Sequence, residues 1–477
     1  MFRKRAVVNT GLLITLCGAG VFPGVGVAAA WTLSKGATFS TTYTDNSRLE
    51  DSGKESDFIA TINPHVALKG SGARANVDFV GSFQIDSRSE GSDSLNPRLR
   101  LDADAELMRN LFFVDAHATA TQNAIDPYAR GGNDTLSRTD NVTTTYNYNI
   151  SPYLVSRVKR YANIEARYTF DRVIHDSDQA NNSNSQSALL SINSGPRFSK
   201  ISWGVVGNYR ETDYKDRSNS QLRSTDLSLG YRFNRAWMAS ASVGKEWNSF
   251  ASTRSDDDGT RLDFRVKWTP SPRTTLDVGF GDRFFGSTPS LDFSHRRKKS
   301  VIKVSYSREV MDSRTLVARQ DVYPINDLFG YVIDPITGDP AIVPRNLATL
   351  DDSTFVDERL NASFEVKGKR TTVTFKGDHS KQIYQDSQRD SKLYGFGVAL
   401  KRKLSGTTDA NIGVNWRGDD RGDGDEADTL TLTTGLSHKL GSKSSISVNY
   451  SHTERDSDRI DDDYEENRVI VSLDFRF

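Results

Sequence analysis

The stretch Arg-Val-Ile-Val-Ser-Leu-Asp-Phe-Arg-Phe, residues 468–477, decides the fold. Val469, Val471, Leu473, Phe475 and Phe477 alternate with Arg468, Ile470, Ser472, Asp474 and Arg476. A period of two places successive side chains on opposite faces of an extended chain, so this is a strand with one apolar face and one largely polar face. The same scheme recurs upstream. Leu262, Phe264, Val266 and Trp268 alternate with Arg261, Asp263, Arg265 and Lys267; Leu99, Leu101, Ala103, Ala105 and Leu107 alternate with Arg98, Arg100, Asp102, Asp104 and Glu106. Leu227, Leu229, Tyr231 and Phe233 alternate with Asp226, Ser228, Gly230 and Arg232.

Charges on the second face would be ruinous in the dry core of a β-sandwich and are at home against water inside a barrel. A soluble sandwich or solenoid is the rival reading, since alternating strands also describe those folds. The connections argue against it. Short turns near 70–72, 109–110, 199–200, 234–235, 271–272, 368–369, 405–406 and 441–442 alternate with longer polar loops near 46–54, 87–94, 125–138, 175–186, 213–221, 251–259, 385–390, 418–427 and 456–463. Outer-membrane barrels have this asymmetry, with short periplasmic turns and long outside loops. Aromatic residues near strand ends, such as Trp203, Trp237, Trp268 and Trp416, suit interfacial girdles. The expected fold is all-β: one transmembrane antiparallel up-and-down barrel of about 22 strands, with 20–24 as the range and an even number preferred. Reaching 22 requires residues 287–310 to form two strands that turn at Arg296-Arg297-Lys298-Lys299.

Composition agrees. Charged residues make up 26% and hydrophobic ones 36%, thin for large closed cores but suited to a barrel wetted on one face. Arg3, Lys4 and Arg5, an apolar run from Ala6 to Phe22 and then Ala28-Ala29-Ala30 predict a cleavable secretory leader over 1–30, leaving 31–477 as the barrel. Past the leader no run approaches the roughly 20 apolar residues of a membrane-spanning helix. Cys17 is the only cysteine and lies in the leader; Leu16 stands where a lipoprotein signal wants a small residue. The mature chain therefore has no disulfide or thiolate chemistry. The formal net charge of zero gives no argument for nucleic acid.

A barrel this wide usually holds a plug. Alternation begins almost at once, with Phe39, Thr41 and Tyr43, leaving no separate plug domain and arguing against a TonB-dependent receptor. The stretch Met311 to Ser353, with Pro324, Pro335, Pro340 and Pro344 among Tyr323, Ile325, Leu328, Phe329 and Tyr331, is expected to fold into or over the mouth as a lid or constriction.

Several phrases are more specific: YTDN at 43–46, SDF at 56–58, INPHVALKGSGAR at 62–74 and SYSREV at 305–310. These resemble the outer-membrane β-barrel proteins associated with the PEP-CTERM/exosortase system, within the broader class of β-barrel porins. His65 departs from the glycine expected after the proline of that phrase. The resemblance implies a Gram-negative outer-membrane protein linked to exopolysaccharide production and export. It carries no catalytic motif. Val469, Val471, Leu473, Phe475 and Phe477 likewise resemble the C-terminal signal read by the barrel-insertion machinery.

Chemistry-bearing motifs are weak. Gly91-Ser92-Asp93-Ser94-Leu95 misses a lipase serine loop by one residue, and Arg421-Gly422-Asp423 sits in an acidic loop rather than in an adhesion context. The acidic loops 256–258, 419–426 and 461–466 offer oxygen ligands without a cation-loop spacing, and the seven histidines show no zinc spacing. No cofactor, metal or catalytic residue is expected, and the chain reads as a non-enzyme. The expected function is a channel or export conduit, with Arg98, Arg100, Asp102, Glu106, Arg261, Arg265, Lys267, Arg359 and Lys367 lining the lumen. The expected partners are outer-membrane lipid and lipopolysaccharide, the insertion machinery, and exopolysaccharide or periplasmic export components. A non-conducting scaffold that retains exopolysaccharide is the alternative, and an outer-membrane hydrolase a second one.

Overall fold

The computed structural model describes residues 30–131, 136–215, 218–318, 349–387 and 389–477. Residues 1–29 of the predicted leader and the proline-bearing part of the long loop, 319–348, lie outside the described residues.

The strands run β1 (Ala30–Thr44), β2 (Asp57–Ser71), β3 (Ala75–Arg88), β4 (Ser94–Met108), β5 (Phe112–Ala124), β6 (Val142–Val158), β7 (Ala162–His175) and β8 (Ser183–Ser194). Then follow β9 (Ile201–Tyr214), β10 (Ser220–Arg232), β11 (Trp237–Ser249), β12 (Gly259–Ser271), β13 (Thr274–Arg283), β14 in two pieces (Gly286–Ser287 and Ser290–Arg296) and β15 (Ser300–Asp312). The rest are β16 (Thr354–Lys367), β17 (Thr371–Tyr384), β18 (Asp390–Lys403), β19 (Thr408–Asp420), β20 (Glu426–Lys439), β21 (Ser444–Ser457) and β22 (Tyr464–Arg476). Each strand pairs antiparallel with its neighbours in sequence, and β1 closes the ring on β22 in the register Gly36↔Arg476 to Thr44↔Arg468. The result is a closed barrel of 22 strands.

Two local features shape the wall. Pro289 separates the two pieces of β14, because proline has no N–H for the ladder. At the seam, Gly36 is required by close approach: a Cβ there would lie 2.5 Å from the Phe475 carbonyl oxygen and 2.4 Å from His65 Nε2.

The outer face is apolar. Leu95, Leu229, Phe264 and Phe280 are each more than half exposed, among a long series of exposed aliphatic and aromatic side chains. A band of that extent belongs in lipid, not water. The opposite face carries buried Asn96, Thr119, Asn123, Asn147, Ser151 and Asp357. Longer connections leave one end of the barrel, the outer end, and turns such as 72–74, 297–299 and 368–370 leave the other. Arg297, in the middle of the predicted basic turn, donates its backbone N–H to the Ser300 carbonyl at 2.7 Å.

Candidate functional site: the lumen and its outer mouth

Along the wall, inward charges are paired with near neighbours rather than gathered into rings. Arg100 donates to Asp102 at 2.6 Å, and the other carboxylate oxygen of Asp102 meets His117 at 2.7 Å from the adjacent strand. Arg98 lies in the field of Asp86. Arg261 sits 3.4 Å from Asp226, and Arg265 between Asp263 at 3.6 Å and Asp277 at 3.8 Å. Arg359 pairs with Asp357 at 3.2 Å, and Lys367 with Glu365 at 3.2 Å. Lys267 and Lys367 are exposed at the periplasmic rim, and Glu106, at the same end, accepts the Asn110 backbone N–H of its own turn. The residues expected from sequence thus share the inward face, spread over the depth of the wall.

A second inward cluster is absent from the sequence expectation. Arg167 bonds Asp115 at 2.7 Å and Glu165 at 2.9 Å, and its guanidinium covers the Tyr153 ring at 3.8 Å, while Phe113 stacks on the same ring at 5.2 Å. Val469 and Val471 of the last strand are exposed on the outer face, Phe477 just beyond it is exposed as well, and Asp474 is buried on the inner face.

The mouth is built by loops that sequence reading placed outside the barrel. The loop after β5 turns inward and lands on strands half-way round the ring. Tyr128, almost fully buried, donates its hydroxyl to Ser391 Oγ at 2.8 Å; burial raises its pKa far above the ordinary phenol value, so it remains a neutral donor. Arg455 donates to Asp462 at 2.8 Å, to Asp419 at 3.1 Å and to the Tyr128 carbonyl at 2.8 Å, and Arg459 bonds the same three partners. The Arg455 side chain is 5% exposed and that of Asp419 0%. Arg421 forms an ion pair with Asp126, so the tripeptide at 421–423 serves the fold of the mouth.

Arg130 completes the clamp. Its side chain donates to the carbonyls of Leu49 at 3.2 Å and Asp461 at 3.0 Å. Both carbonyls belong to residues in the left-handed region, with φ of 56° and 61°, a conformation that costs a non-glycine residue of order 1 kcal/mol and persists where surroundings enforce it.

The described ends of the long loop also turn inward. After β15, the short helix α1 (Ser313–Ala318) carries Arg314 to Asp171 on β7 and to Ser183 Oγ on β8 at 2.9 Å. Burial pulls the Arg314 pKa down to about 10 against the field of Asp352, leaving a cation at neutral pH. Leu316 packs on an apolar cluster of Met311, Phe355 and Tyr384 inside the rim, and the Leu350 N–H bonds the Ile125 carbonyl at 2.9 Å. Among the described residues, then, both ends of the long loop fold in against the mouth. The predicted prolines of its middle lie outside them.

No family model and no curated protein matches the sequence. The barrel is similar to solved outer-membrane receptors. A ferric enterobactin receptor of Pseudomonas aeruginosa aligns over 94% of this chain and 81% of its own, at 9% identity and a TM-score of 0.53. The FrpB iron transporter of Neisseria meningitidis aligns over 93% of this chain and 82% of its own, at 7% identity and a TM-score of 0.52. At such identities the likeness establishes the fold.

Proposed function

We propose that this protein is a gated outer-membrane conduit for neutral or mixed-charge saccharides, serving exopolysaccharide export as its family resemblance implies. The observation that carries the proposal is the character of the inner wall: hydroxyls, amides and charges of both signs, with Arg100, Arg167, Arg261 and Arg359 each answered by a carboxylate two residues away or on a nearby strand. Such a wall hydrates a polar passenger without concentrating one sign of ion. The mouth supplies the gate. At the mouth the loop after β5 is held by the Arg421–Asp126 ion pair, by arginine hydrogen bonds to the Pro127 and Tyr128 carbonyls and by one tyrosine hydroxyl, contacts that can break together without disturbing a strand ladder. The iron-receptor neighbours support the barrel and a transport role, and the saccharide is our own assignment.

Single-channel recording of the purified, folded protein tests this. Wild type is expected to open rarely, and a variant carrying Arg455→Ala and Arg459→Ala to open often, in steps that oligosaccharides block according to size. Silence in both proteins, with the barrel shown to be folded by its heat-dependent gel mobility, would instead favour the non-conducting scaffold. That alternative draws on the same observation of a mouth crossed by its own loops.

A further inference from the structure

Away from the lumen, the lipid-facing surface has a groove of about 1010 Å³ over β6–β11. Its floor is a row of small outward residues: Ala166, Ala188, Gly207 and Thr225. The register places Gly207 between Leu190 and Thr225, and a Cβ at Gly207 would meet nothing within 4 Å, so the floor is open to the outside. The walls are apolar and exposed, including Leu154, Tyr168, Leu190 and Trp247.

The rim toward the outer end carries two cations that lie outside any salt bridge among the described residues. Arg223 lies over the Tyr209 ring at 5.5 Å and Lys245 over the Trp247 ring at 5.5 Å; among the described residues neither forms a salt bridge. The nearby acid, Glu211, accepts from the Tyr209 hydroxyl at 2.7 Å and from Gln221 at 2.9 Å and meets Arg223 through its field without a salt bridge, while Lys245 has no such acid beside it among the described residues. Two other outward cations toward the outer end are each paired with a carboxylate: Lys392 with Asp420 at 2.8 Å and Arg308 with Glu358 at 2.7 Å. Long cationic side chains that lie on interfacial aromatics present their charge at headgroup level.

We infer that this groove is a binding site for lipopolysaccharide, with acyl chains in the trough floored by Gly207 and lipid phosphate on Arg223 and Lys245. The breadth of the trough, several strands wide, fits a multi-chain lipid, and the two cations outside salt bridges, set over aromatic rings, fit a phosphorylated headgroup in the outer leaflet.

The test is titration of the purified full-length protein in mild detergent with bisphosphorylated rough lipopolysaccharide, read by native mass spectrometry. Arg223→Gln with Lys245→Gln is expected to weaken binding roughly thirty-fold, given about 1 kcal/mol per basic residue at a membrane surface. Gly207→Leu, which fills the trough, should weaken it too, while Lys392→Gln should leave it unchanged. Equal binding by wild type and the double charge variant overturns the site, as does phosphatidylglycerol binding as tightly as lipopolysaccharide. Should Gly207→Leu fail to fold, the charge variant decides alone.

Discussion

At the scale of single residues, the mouth rests on Arg455. Its guanidinium lies buried between two carboxylates and a backbone carbonyl, so removing it leaves Asp419 and Asp462 with their charges less well compensated. Breaking one partner of such a buried pair costs about 3–5 kcal/mol. Arg455→Ala should therefore expose the backbone of residues 125–131 to hydrogen exchange while the strands keep their protection. Asp257 offers a pH test on another loop. Burial raises its pKa above the ordinary carboxylate value, reinforced by Asp256 and Asp258 and opposed by the Ser252 hydroxyl and Arg254. A carboxyl that is more basic folded than unfolded holds its proton better in the folded state, so its loop is firmest in acid and loosens as pH rises through the raised pKa. Exchange of the Thr253 amide, which donates to the Gln385 carbonyl at 2.8 Å, should speed up over that window beyond its intrinsic rate. Asp257→Asn should flatten the dependence.

At the scale of elements, the strands were legible and the loops were not, for a physical reason. Period-two alternation is local, so Arg261 to Trp268 and Arg468 to Phe477 declare their two faces without any partner. The basic turn at 296–299 and the count of 22 followed from the same pattern. The inward fold of the loop after β5 depends on Tyr128 meeting Arg455, 327 residues later, and no local pattern encodes that meeting. The one available hint was an aromatic and an isoleucine, Tyr128 and Ile125, inside a stretch otherwise polar. Arg167 escaped notice similarly, because its partners Asp115 and Tyr153 lie on two other strands. The seam makes a sharp prediction for one element. Gly36→Val would drive side-chain atoms into the Phe475 backbone and His65, so most of the protein should lose the compact, heat-modifiable gel band.

At the scale of the whole molecule, the paired charges predict little ionic preference for the proposed conduit. Reversal potentials across a salt gradient should give a cation-to-anion permeability ratio close to one. Arg167→Gln leaves Asp115 and Glu165 unanswered and should tip the ratio several-fold toward cations. The joining of β1 to β22 has a different consequence, for biosynthesis. Thr38 and Asp474, 436 positions apart, bond directly, so the ring is closed by residues that lie far apart along the chain. Closing so long a chain costs only logarithmically more entropy than closing a short one, and the ladder that forms repays it at a stroke. A chain cut short before Tyr464 would instead expose two bare strand edges, at β1 and β21, which invite pairing with other chains. The seam thus makes the hiding of both edges conditional on β22: a chain that carries it covers them, and a chain that lacks it is marked for aggregation or destruction by the edges it leaves bare.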